Sequence, residues 1–109
     1  MSALEAVELE QEIRRARDLT HAGNFADAYA TLREIRATLS DAGIESAFVC
    51  WLVAVTADGL GLLAEAAELI DRACERDPGC PQFLNSRRII YGRLDAAAES
   101  AAPARRSWN

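Results

Sequence analysis

The chain contains no lysine: all 12 of its basic residues are arginine. Histidine occurs once, as His21, and proline three times. The three cysteines, Cys50, Cys74 and Cys80, form no Cys-x-x-Cys pair. With one imidazole and no thiol pair, a four-ligand zinc site is not expected, and nothing calls for a cofactor. An odd cysteine count without a secretion signal points to free thiols rather than a disulfide framework. The chain lacks any run of 18 apolar residues, so no membrane-spanning helix is expected. It opens on Met1-Ser2-Ala3-Leu4-Glu5, which is acidic and has no apolar stretch, so it does not read as a signal peptide. Together these absences place the protein in the cytoplasm. The net charge of −5 leaves no basic surplus to neutralise phosphates, which argues against nucleic-acid binding.

Alanine, by contrast, is abundant, with 22 copies, and half of the 109 residues are apolar. Alanine and arginine both favour helix, and the length fits a single domain. The expected fold class is all-α, with about five helices. Ser2 and Glu5 have the form of a capping box, so a first helix should run to about Ala22, where Gly23 stops it. Asn24 is a suitable N-cap for a second helix, with Asp27 near its positive end. Phe25, Ala28, Leu32, Ile35 and Leu39 recur there at three- and four-residue steps, an apolar stripe that ends around Ser40–Gly43. Residues Ala47–Val55 carry no charge. Their β-branched and aromatic content would suit a strand, but no second strand-like segment exists to pair with them, and a helix apolar on all sides is a central buried one. Asp58–Gly61 breaks this segment. A fourth helix places Leu63, Ala66, Ile70 and Ala73 on one face and ends at Asp77-Pro78-Gly79. Pro81 then opens a fifth, with Phe83, Leu84, Ile90, Tyr91 and Leu94 as its apolar members.

Helices one to four contain an internal repeat. Shifted by 38 residues, Ala16 falls on Ala54, Leu19 on Ala57 and Gly23 on Gly61. Phe25 then falls on Leu63, Ala28 on Ala66, Leu32 on Ile70 and Ile35 on Ala73. Small residues meet small ones, as close helix crossings require, and large apolar residues mostly meet large ones. With the closing Pro78, this pattern resembles the tetratricopeptide repeat, a stacked helical hairpin. The resemblance implies repeat one at 9–42, repeat two at 47–80, a capping helix at 81–97 and a single domain over 1–97, with a flexible tail at 98–109. Three features depart from the family pattern. Glu12 and Arg15 stand where it has apolar residues, repeat one ends in Ser40 rather than proline, and the link to repeat two is about four residues too long for the family. Gly59-Leu60-Gly61, Asp77-Pro78, Phe83, Asn85 and Arg88 are also similar to the C-terminal half of the tetratricopeptide-like chaperones of type III secretion needle subunits.

In repeat proteins of this kind the first helix of each pair lines a concave groove. Carried over by position, the groove receives Ile13, Arg14 and Arg17 from helix one, and Phe48, Trp51 and Val55 from helix three. Helix five contributes Gln82, Asn85, Arg88 and Ile89. Tryptophan and arginine often anchor protein interfaces, so the expected partner is another protein or peptide, an amphipathic helix with apolar anchors and some acidic character. Phe48, Trp51 and Val55 could equally be core, and the pairs Arg14-Arg15 and Arg87-Arg88 could be solvated faces. The carboxylate clamp of some tetratricopeptide domains needs lysines and asparagines, and the absence of lysine speaks against it. A second expectation is self-assembly into a homo-oligomer. Catalysis is not expected: His21 falls at a helix end, Cys50 in an apolar segment where its thiol should stay protonated, and Gly59-x-Gly61 lacks the further residues of a phosphate loop.

Overall fold

A computed structural model of the chain describes residues 3–101. Five helices follow one another: α1 Ala3–His21, α2 Phe25–Asp41, α3 Ala47–Gly59, α4 Leu63–Arg76 and α5 Pro81–Ala101. No strand occurs among the described residues, so the uncharged run at 47–55 is helical. The expected cap Ser2 lies outside the described residues, as do residues 102–109 of the expected tail. Residues 98–101 of that tail belong to α5. Ala96-Ala97-Ala98-Glu99 are strong helix formers and carry the helix past position 97.

The turns inside the two hairpins are alike. Gly23 and Gly61 have φ of +83° and +80°, where a Cβ would clash with the following carbonyl. Each glycine lets the next amide reach back to close the helix end. Asn24 N–H donates to Leu19 O at 2.9 Å, and Leu62 N–H donates to Ala57 O at 2.8 Å. This six-to-one bond satisfies a carbonyl that the helix leaves unpaired. The helix starts differ more. Asn24 stands at the N-cap of α2 without a side-chain capping bond, whereas the Ser46 hydroxyl accepts from Val49 N–H at 3.2 Å and starts α3.

Each helix packs on its neighbour in sequence, and α1, α3 and α5 also lie side by side. The small residues mark the crossings: Ala16, Ala28, Ala54, Ala57, Ala66 and Ala73 are all fully buried. Leu32, Leu52, Val53, Ile70 and Ile90 fill the space between the helices. At the C-terminal end of α3, Gly59 allows Phe25 of α2 to pack against the backbone, since a Cβ there would come within 2.6 Å of the Phe25 ring. Aromatic bulk from repeat one is thus fitted against repeat two. Two tyrosine bonds tie α4 to its flanks. Tyr29 Oη donates to Glu65 at 2.7 Å, and Tyr91 Oη donates to Asp71 at 2.6 Å. The hydrogen bond to a carboxylate, then burial, then the carboxylate's charge raise both tyrosines above the ordinary 10.0. Arg87 is not a free solvated side chain, because its Nε lies 3.1 Å from Asp71 Oδ1 and joins α5 to α4.

Candidate functional site

Helix α3 is enclosed on most of its circumference. Val49, Cys50, Leu52, Val53, Ala54, Thr56 and Ala57 are all buried. At about 100° per residue, Phe48, Trp51, Val55 and Asp58 fall on the one remaining strip. Phe48 is 39 % exposed, and Trp51 and Val55 are half-buried. This strip runs between α1 and α5.

Trp51 is built into the α3–α5 junction. Its ring centroid lies 5.6 Å from Phe48 and 5.8 Å from the buried Phe83 of α5. Its indole N–H donates to Ser86 Oγ at 2.9 Å. The alternative between groove and core therefore resolves into both, since one part of the ring packs on α5 and the rest borders the open strip. Val55 is similarly half-buried. Phe48 is the most open of the three.

On α5, helical periodicity puts Gln82, Asn85, Ile89 and Arg93 on one face, next to Ser86 and hence next to Trp51. Ile89 is 40 % exposed. Arg88 lies a further step round the helix and is drawn back by donating to Asn85 Oδ1 at 2.9 Å. Asn85 is neutral, so the charge of Arg88 remains uncompensated. Arg93 pairs with Asp58 of α3 at 3.1 Å and closes one end of the strip. Neither Ser86 nor Arg93 was legible as part of the site. The signal for Arg93 was available, because it stands four residues after Ile89 on the same face.

The α1 contribution divides. Ile13 packs against the core, and Arg17 shares its face, 3.4 Å from Asp18. Arg14 pairs with Glu10 at 3.0 Å and lines a shallow hollow with Gln11, Arg15, Asp18, Leu19 and Ala22 on the outer side of α1. The structure thus brings the α3 and α5 members together and sets Ile13 and Arg17 on the helix beside them, while Arg14 turns away.

Reactive side chains are spread out. His21 is exposed at the end of α1. Cys50 and Cys74 are buried free thiols. Burial pushes both thiols above the ordinary 9.0, helped at Cys50 by the charge of Glu45 and opposed at Cys74 by that of Arg87, which keeps them protonated. Among the described residues, no three His, Cys, Asp or Glu side chains converge as a metal site, and no helix is long and apolar enough to cross a membrane. No family model, characterised protein or solved structure matches this chain.

Proposed function

We propose that the protein is a tetratricopeptide-like interaction module that holds a peptide or amphipathic helix of another protein along the α1/α3/α5 face, acting by binding and not by catalysis. The carrying observation is the strip on α3. A helix otherwise buried all round leaves Phe48, Trp51 and Val55 uncovered on one side only, with Ile89 of α5 beside them. Burying such side chains under a partner contributes about 25 cal/mol per Å² of apolar area, before the costs of association. Trp51 is held by Phe83 and Ser86, so its ring is ordered before a partner arrives and little side-chain entropy remains to be lost. Arg88 and Arg17 flank the strip, among the described residues the first bonded to neutral Asn85 alone and the second to an exposed Asp18. Exposed pairs of the latter kind are weak, so both cations are free to meet acidic residues of a partner.

The test compares variants in pull-downs from the source organism's lysate. Phe48→Glu/Ile89→Glu places two charges on the strip at positions already open to solvent, so the fold is retained. Leu60→Glu/Leu62→Glu does the same at exposed apolar residues in the α3–α4 turn. The strip variant is expected to lose a partner that the wild type and the turn variant retain. Equal capture by all three would sink the assignment.

A further inference from the structure

The opposite side of α3 borders a cleft of about 590 Å³. Its apolar floor is Ile44, 47 % exposed, over the buried Leu39, Val49, Cys50 and Val53, and its end is closed by the connection at 43–46. From α2 it receives Arg33 and Arg36, and from α4 it receives Arg72, Arg76 and Glu65. Two helices thus turn arginines toward a shared space in a chain whose net charge is −5.

These four guanidinium groups are not equally satisfied. Arg76 pairs with Glu45 at 3.1 Å, and Arg72 lies 3.6 Å from Glu45 and 3.2 Å from Glu68. Glu65, the other carboxylate of the cleft, is engaged by Tyr29 Oη. Arg33 stacks over the Tyr29 ring at 5.7 Å. Arg36 is half-buried, and among the described residues neither it nor Arg33 has a carboxylate within ion-pair distance. The cleft therefore keeps two uncommitted guanidinium groups above an apolar floor. A guanidinium fork matches the oxygens of a carboxylate or phosphate, and the volume falls within the range of about 300–1,000 Å³ usual for small-molecule sites.

We propose that this cleft is a binding site for a small organic oxyanion, a phosphate or carboxylate carried on an apolar body. Arg33 and Arg36 take the anionic group, and Ile44, the open apolar side chain of the lining, takes the apolar part. The Glu45 bridge to Arg72 and Arg76 holds the α4 wall in place. The site is independent of the α1/α3/α5 face, because Val49 and Val53 point away from Trp51 by helical periodicity.

The test is an NMR titration of the full chain with phenyl phosphate and, separately, inorganic phosphate at low ionic strength. Saturable amide shifts are expected at residues 33–50 and 72–76 with both probes, and phenyl phosphate should bind at least about tenfold more tightly by using the floor. Arg36→Ala should weaken phenyl phosphate at least about tenfold, and Arg36→Lys, which keeps the charge but loses the fork, should fall between. Arg14→Ala, on the outer side of α1, should bind as the wild type does. Thermal melts of each variant report that the fold is kept. Failure of both probes to saturate by about 10 mM, shifts confined to another surface, or wild-type affinity in a folded Arg36→Ala would overturn the proposal. Saturation by inorganic phosphate as tight as by phenyl phosphate would overturn the role of the apolar floor.

Discussion

Repeat one and repeat two carry the same pattern at a 38-residue offset, yet their first helices live in different surroundings. In α3, Cys50 and Val53 are 1 % exposed. Their counterparts in α1 are Glu12 and Arg15, both exposed. The glycine turns, the small crossing residues and the large apolar residues Leu32 and Ile70 behave alike in both units. What differs is the number of neighbours. α3 lies between α1 and α5 and packs on α2 and α4, whereas among the described residues α1 meets α2 and α3 alone. A position that is core in a helix with four neighbours is surface in one with two, and the charges at 12 and 15 follow from that place.

The strongest way to break this comparison is to exchange the two environments. Val53→Arg would bury an unpaired charge among Leu52, Val49 and the α4 side chains, and should cost about 3–5 kcal/mol. Arg15→Val should change stability by no more than about 0.5 kcal/mol. Urea unfolding of both variants measures the difference. If Val53→Arg were as mild as Arg15→Val, the enclosure of α3 would be wrong.

The helix starts sharpen the same contrast on a smaller scale. Ser46 caps α3 through its hydroxyl, whereas Asn24 stands at the start of α2 with no side-chain bond. Ser46→Ala should therefore lower stability by about 1 kcal/mol, and Asn24→Ala by a few tenths at most. Thermal melts of the two alanine variants would rank them. The reverse order would mean that the Asn24 amide caps α2 in solution.

Much of the fold was legible because its determinants are local. Gly23, Gly61, Pro78 and Pro81 punctuate the chain, and the three- and four-residue apolar steps give each helix its buried face. The uncharged run at 47–55 was legible as a central helix for the same reason, since nothing else in the chain could pair with it as a strand. The candidate site was less legible, because it depends on what stands beside each helix. Trp51 reads as an anchor in sequence, but its bond to Ser86 joins residues 35 apart, and no local pattern announces it. Arg14 and Arg17 look equivalent in sequence, yet Arg17 stands about 40° round the helix from the inward Ile13 and Arg14 about 100°, far enough to join the outer hollow. The arginines of the cleft come from α2 and α4, and only the packing of those helices around the 43–46 connection brings them together.

The smallest effect tests what joins the two repeats. Glu45 stands in the connection between them and reaches Arg72 and Arg76 of α4. Burial alone would raise its carboxyl, but the Arg76 hydrogen bond and the charges of Arg76 and Arg72 outweigh it and hold the group below the ordinary 4.5. A carboxyl depressed in the folded state stabilises fully above its unfolded value, and loses that contribution as pH falls through the folded one. The stabilisation is thus complete above about pH 4.5 and fades below it. With a third of the side chain exposed, screening limits the effect to about 0.5 kcal/mol. Melts of the wild type and Glu45→Gln from pH 7 to pH 3 should show a small gap that closes below pH 4.5. The packing of the half-buried Phe25 against Gly59 carries no charge and is indifferent to pH over that range. A gap that stayed open at pH 3, or one well above 1 kcal/mol at pH 7, would mean that the repeats are joined by more than this packing.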